Sequence, residues 1–135
     1  ELLQSVRATD PMKAKHLDKA LNQFAEEGAA KLFKPLIGSG WIIGVVGALQ
    51  FEVLASRIEL EYGIPVRFEQ SQFKSARWLS GVKEDVEKFI DINKGHMAMD
   101  HDGDPVYMTR LQWDIDRVER DYPLLNLTAT KDIMV

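Results

Sequence analysis

Residues 41–53 read WIIGVVGALQFEV, and this stretch decides the fold. Its first six residues are apolar throughout, which is typical of a strand covered on both faces. Gly47 then bends the chain into a helix that we predict from Ala48 to Tyr62, with Gly63 as the left-handed stop. The predicted buried stripe of this helix is Phe51, Leu54, Ala55, Ile58 and Tyr62. The stretch therefore predicts a strand, a corner and a helix of a mixed α and β protein.

The flanking sequence extends this unit to β-α-β-β-α-β. Strands are predicted over 2–7, 29–36 and 66–69, in addition to 41–46. A first helix should begin at Asp10-Pro11, since aspartate caps helices and proline is tolerated at the first helical position, and it should end at Gly28. Its predicted core face is Leu17, Ala20, Leu21, Phe24 and Ala25. A turn over 37–40 joins the second and third strands.

The second half repeats the same order of elements. Strands are predicted over 74–79, 97–99 and 105–108 and from Leu125, with helices over 82–92 and after Thr109 as N-cap. The predicted core face of the first of these helices is Val82, Val86, Phe89 and Ile90. That of the second is Leu111, Ile115, Val118 and Tyr122. We predict the α+β class, with two ferredoxin-like β-α-β-β-α-β sets (alpha-beta plaits) packed in one compact domain over 1–135, the halves being 1–70 and 71–135. One extended sheet stays open as the alternative.

Composition excludes several kinds of chemistry. The chain has 135 residues, a formal charge of -4 and no cysteine, which excludes disulfides, thiolate metal sites and a cysteine nucleophile. Residues 1–80 carry 10 Lys+Arg against 9 Asp+Glu, and 81–135 carry 7 against 12, so any contact with RNA phosphate is expected in the first half. We expect neither a membrane segment nor a signal peptide. Because the chain starts at Glu1, we expect it to be part of a larger protein.

Two motifs that could carry chemistry fail in detail. The glycines of residues 38–47 are followed by no Gly-Lys-Ser/Thr, so they do not form a Walker loop. Asp100, Asp102 and Asp104 have the 1, 3, 5 spacing of a calcium loop, but Pro105 replaces the glycine at the sixth place and Leu111 the glutamate at the twelfth. We predict a polar hairpin tip there with an exposed His101. No catalytic, cofactor-binding or metal residue is nominated.

Short stretches along nearly the whole chain carry a family resemblance. The most specific is 44–53 with Arg57 and Glu61-Tyr62, and the others are 10–11, 26–29, 33–35, 76–78 and 119–123. In this order they resemble the C-terminal domain of bacterial peptide chain release factor 3. The first half also looks like the third domain of elongation factor G, a ferredoxin-like unit. One departure is Phe24-Ala25, where leucine and serine are expected, and it changes the packing of the helix.

The resemblance implies a parent that is a translational GTPase of the cytoplasm. Such a parent uses GTP to promote dissociation of the stop-codon-reading release factors. GTP and Mg²⁺ would bind its GTPase domain. This chain itself is expected neither to be an enzyme nor to hold a cofactor. The implied partners are the RNA and protein of the small ribosomal subunit and the parent's own GTPase and barrel domains. The chain is expected to be a monomer.

Basic residues on or beside the first predicted strands are the candidate ribosome contacts. They are Lys31, Lys34, Arg67, Lys74 and Arg77. A solvated charged face explains the same residues equally well. A ferredoxin-like regulatory module that binds a small ligand is the alternative function.

Overall fold

A computed structural model describes residues 2–38 and 40–131, and the chain divides into two compact units. Unit 1 comprises Glu1–Lys34 and Gly40–Ser71, and unit 2 comprises Pro35–Ser39 and Gln72–Val135. Ser39, in the predicted turn, lies outside the described residues. Helices and antiparallel strands alternate in both units, which confirms the α+β class.

Unit 1 contains four antiparallel strands, hydrogen-bonded in the order β4-β1-β3-β2. Its elements are β1 (Leu2–Ala8), α1 (Ala14–Glu27), β2 (Lys31–Pro35), β3 (Trp41–Val45), α2 (Leu49–Tyr62) and β4 (Val66–Gln70). Leu32, Ile43, Val45 and Val6 of the strands pack with residues of both helices in one core. Because strand side chains alternate, the odd-numbered residues of β1 and β4 and of the first part of β2 face away from this core.

The helix ends in unit 1 follow the sequence closely. Asp10 accepts a hydrogen bond from the backbone N–H of Met12 at 3.0 Å, but the residues after it first form a 3-10 turn, Pro11–Lys13, so α1 begins at Ala14. Gly28 and Gly63 end α1 and α2 with φ of 79° and 68°, a left-handed backbone that favours glycine. The predicted core face of α1 is buried in full.

Unit 2 repeats these elements, again with four antiparallel strands. They are β5 (Ser75–Ser80), α3 (Lys83–Ile92), β6 (Met97–Asp100), β7 (Pro105–Thr109), α4 (Gln112–Asp121) and β8 (Asn126–Thr128), with a 3-10 turn at Lys94–His96. The strand order β6-β7-β5-β8 is the order of unit 1 counted from the other edge. Phe89 of α3 and Val118 of α4 pack against Leu79 and Tyr107 in its core.

In unit 2, α3 begins within one residue of the predicted start, whereas α4 begins two residues later than predicted. Thr109 is the last residue of β7, and its hydroxyl donates to the carbonyl of Leu111, so α4 begins only at Gln112. Leu111 and Val82, both predicted on core faces, precede their helices and are exposed. Within the described residues, no helix is long and apolar enough to cross a membrane.

Candidate functional site

The five predicted contact residues do not form one cluster. Lys31, Lys34 and Arg67 belong to unit 1, whereas Lys74 and Arg77 belong to unit 2. In unit 1, β4 and β2 are the first and fourth strands in the order β4-β1-β3-β2, three strand spacings or about 14 Å apart. The lysines of β2 and the arginine of β4 are therefore not neighbours in the sheet.

Lys34 lies on the helix side of the sheet and is already paired. Its Nζ lies 2.9 Å from Oδ1 of Asp18 in α1, and the same oxygen accepts the indole N–H of Trp41 at 3.0 Å. Lys31 lies on the opposite face of β2, because the two residues are an odd number of positions apart. The pairing with Asp18 gives Lys34 a structural role whether or not it meets a partner.

Arg67 is the most accessible candidate of unit 1. It is exposed on the sheet face that points away from the helices and stands directly opposite Arg7 in the β1–β4 register. Arg7 forms an ion pair with Glu69 at 2.8 Å, whereas Arg67 has no ion-pair partner in the described part of the chain. Two like charges in direct cross-strand register destabilise a sheet, so an anion at this position would be stabilising.

In unit 2 the two candidates differ in accessibility. Lys74 is exposed in the loop before β5, where its backbone N–H donates to the carbonyl of Thr109 at 2.8 Å. Arg77 is half-buried, and its guanidinium donates to the carbonyl of Ala76 at 2.9 Å, so it lies along its own strand. Lys74 is therefore the freer cation of this pair.

Arg57 joins the two helices of unit 1. Its guanidinium donates to Glu61 at 2.7 Å and to Glu27 of α1 at 3.2 Å, and it lies 4.4 Å from the centre of the Phe24 ring. The bond from Arg57 holds the pKa of Glu61 below its usual range. The ring of Tyr62 meets Phe24 edge to face at 6.1 Å. These residues, which carry much of the resemblance, thus have a packing role, and the unexpected Phe24 is the ring on which Arg57 rests.

Gln50, in the most specific stretch of the resemblance, holds the corner between β3 and α2. Its side-chain oxygen accepts hydrogen bonds from the backbone N–H groups of Val46 and Gly47 at 2.9 and 3.0 Å. Both residues precede α2, so Gln50 fixes the path by which the chain enters the helix. The adjacent Phe51 is buried, so packing accounts for it.

The hairpin tip between β6 and β7 forms an ionic cluster that sequence reasoning missed. Asp100, Asp102 and Asp104 place carboxylate oxygens within 4.8 Å of one another, and the Nζ of Lys131 lies 2.9, 2.7 and 2.6 Å from them in that order. The predicted polar tip is correct, but His101 is half-buried beside Asp102 rather than exposed. The ammonium of Lys131 stands where a cation would bind the three carboxylates.

Asp100 is the buried member of this ionic cluster. One oxygen accepts the backbone N–H groups of Asp102 and Asp104 at 2.9 Å each, and the other accepts the indole N–H of Trp78 at 3.0 Å. Burial alone would raise the pKa of Asp100, but the bonds from Trp78 and Lys131 outweigh it and hold this pKa below its usual range. Burial likewise opposes the charge of Lys131, and the three carboxylates nevertheless raise its pKa.

The fold and these sites define an α+β domain in which the described charged groups form ion pairs and hydrogen bonds within each unit. The family model of the class II release factor RF3, C-terminal domain, matches residues 1–119. The chain therefore belongs to the RF3 C-terminal domain family, as the resemblance predicted. Membership places it in translation termination and protein biosynthesis, as a non-catalytic part of a release factor with a ribosome-related function.

Proposed function

We propose that residues 1–135 are the C-terminal domain of a cytoplasmic translational GTPase, built from two ferredoxin-like halves. The parent protein would use GTP to promote dissociation of the stop-codon-reading release factors from the ribosome. GTP and Mg²⁺ would bind its separate GTPase domain, since this chain contains no Gly-Lys-Ser/Thr loop. The observation that carries the proposal is the family match over residues 1–119.

In this proposal the chain, as a monomeric domain, couples the nucleotide state of the parent to the ribosome. It would contact the small subunit, both RNA and protein, and the GTPase and barrel domains of the parent, with different contacts in the two nucleotide states. The bridge from Arg57 to Glu27 and Glu61 supports this role, because it ties α1 to α2 and lets unit 1 move as one body.

The RNA contact of unit 1 would centre on Arg67 together with Arg7. Their direct register places two exposed guanidinium groups on one sheet face, and a bound phosphate would accept charge-assisted hydrogen bonds from both. Lys31, Lys74 and Arg77 would contribute separate contacts. Lys34 should contribute less, because it lies on the helix side of the sheet, is only 39% exposed and is paired with Asp18, whereas Arg7, although paired with Glu69, is 64% exposed.

Co-sedimentation of the intact parent with ribosomes tests this proposal. Arg67→Ala and Arg7→Ala should weaken binding and reduce the salt dependence by about one counterion per lost phosphate contact, and Lys34→Ala should do less. Arg120→Ala is the matched control, since this arginine is 71% exposed on the acidic α4. Unchanged binding and salt slope in both β-strand variants would refute the RNA contact. A parent without a GTPase domain would refute the proposed function itself.

A further inference from the structure

An open groove lies on unit 2 between α3 and the chain segment that follows α4. Its volume is about 300 Å³. The floor includes the rings of the buried Phe89 and the half-buried Tyr122, which meet edge to face with centres 5.1 Å apart. Leu125 completes this floor. The groove therefore offers a packed apolar base inside one unit.

The walls of the groove are apolar and accessible. Ile92 at the end of α3 is 71% exposed, and Leu124 on the other side is 76% exposed. Single exposed leucines are common on proteins, but two large aliphatic side chains on either side of an apolar concavity mark a binding surface. A volume of this size is at the low end for ligand pockets, so it suits one or two side chains of a partner.

The segment that carries Leu124 packs closely against Gly81, which follows β5. A Cβ atom on Gly81 would lie 3.0 Å from Leu125 Cδ2 and 3.2 Å from the carbonyl oxygen of Leu124, so only glycine permits this approach. The backbone N–H of Leu125 also donates to the carbonyl of Tyr122 at 3.0 Å. The groove is thus formed before any partner arrives, which lowers the entropic cost of binding.

The charge around the groove selects the kind of partner. Asp85, Asp121 and one cation, Lys88, line its rim. Asp121 is also paired with Arg120 at 3.0 Å, so Asp85 is the carboxylate left for a partner's cation. Each of the two helices, α3 and α4, carries four acidic and two basic residues, so the surrounding surface is negative as well. A negative surface repels the phosphates of RNA or lipid and attracts cationic protein segments.

We propose that this groove binds a basic protein segment that inserts one large apolar side chain between Ile92 and Leu124. The apolar side chain would rest on the rings of Phe89 and Tyr122, and a flanking Arg or Lys residue would pair with Asp85. This is the arrangement of a protein–protein hot spot, with an apolar anchor in a pocket and charges around it. The proposal uses none of the residues assigned to RNA contact and stands apart from them.

A peptide titration of the 135-residue chain tests the proposal. The probe is a labelled 12-residue Gly/Ser peptide with one central leucine and two arginines on each side of it, followed by fluorescence anisotropy and by backbone amide NMR. Two matched peptides replace the leucine by serine or the arginines by glutamates, and a 12-nucleotide oligouridylate represents RNA. The first peptide should shift the amides around Ile92 and Leu124, and each matched peptide should bind at least about tenfold more weakly.

Variants of the chain locate the binding. Leu124→Ser should weaken it at least about fivefold, whereas Leu60→Ser, at an 82% exposed leucine of unit 1, should leave it unchanged. Asp85→Asn should lower its salt dependence, whereas Glu87→Gln should not, because two residues correspond to about 200° around a helix and turn Glu87 away from the groove.

Four results would overturn the proposal. The first two are that Leu124→Ser binds the basic peptide as tightly as the unaltered chain does, or that the peptide shifts no amide signals at the groove. The other two are that oligouridylate binds at the groove as tightly as the basic peptide, or that the chain self-associates and Leu124→Ser abolishes this self-association.

Discussion

Replacing Asp100 by alanine is expected to lower the free energy of unfolding by about 3–5 kcal/mol, because it removes the charged acceptor of four hydrogen bonds, each worth about 1.5–3 kcal/mol before water replaces the exposed ones. The side chain is 4% exposed and accepts hydrogen bonds from Trp78, from two backbone N–H groups and from Lys131. In the variant the indole N–H of Trp78, a residue only 3% exposed, has lost its charged acceptor. Leaving a buried donor without an acceptor costs about 1–3 kcal/mol. The lost bonds to the exposed hairpin backbone add the remainder, since water replaces them only in part.

Lys131→Met is the matched comparison, because it removes the positive end of the same ionic cluster. The lysine is 33% exposed, and two of its three partners, Asp102 and Asp104, are exposed as well. Exposed ion pairs are worth little, so the expected loss is about 1 kcal/mol. Asp100 keeps its other three hydrogen bonds in that variant.

Urea unfolding followed by circular dichroism measures both variants against the unaltered chain. The midpoint should fall clearly for Asp100→Ala and slightly for Lys131→Met, with the slope of the free energy against urea unchanged. A loss below about 1 kcal/mol for Asp100→Ala, or a loss for Lys131→Met as large as that for Asp100→Ala, would contradict the assignment of Asp100 as the centre of the ionic cluster.

Further predictions concern pH, a glycine and the helix bridge of unit 1. Because the folded pKa of Asp100 is lowered, its contribution to stability is fully present above its ordinary value of 3.8 and is lost as the pH falls from there through the folded value. The difference in urea midpoint between the unaltered chain and Asp100→Asn should therefore begin to shrink near pH 3.8 and close only below the folded pKa. The folded pKa of Lys131 is raised above its ordinary value of 10.5, so the contribution of Lys131 to stability should still be present at pH 10.5 and be lost only at higher pH. Urea midpoints measured at alkaline pH for the unaltered chain and Lys131→Met test this. Gly81→Ala should destabilise the chain by about 1–3 kcal/mol through a φ of 150° and the close approach of the segment after α4, whereas Gly95→Ala, with open space around it, should change the melting temperature little. Phe24→Leu should cost about 1 kcal/mol in urea unfolding, since it keeps most of the apolar volume but removes the ring under the guanidinium, and an unchanged or higher midpoint would contradict that reasoning.

Local signals in the sequence predicted most elements correctly. Gly28 and Gly63 end their helices as expected, since an apolar stripe followed by glycine is a short-range pattern. The start of α4 was wrong because Thr109 is suited both to a cap and to the end of a strand, and only the pairing of β7 with β5 decides between them. Local preference is overridden there by the sheet.

The charged sites could be predicted only in part, because their partners are distant in sequence. Nothing near Asp100 indicates Lys131, which lies 31 residues later. Arg7 became a candidate only once the β1–β4 register had placed it opposite Arg67. Register between strands that are not neighbours in sequence is fixed by the whole sheet, so a single sequence does not reveal which cations meet.

The cluster of Lys131 with three aspartates has a practical consequence for where the domain can be cut. The family match ends at residue 119, yet β8 and Lys131 follow it. A fragment expressed only to residue 119 would leave one edge of β5 without its partner strand and three carboxylates without their ammonium. An unpaired strand edge invites aggregation, so expression boundaries should include residue 131 even though the family's signature stops twelve residues earlier.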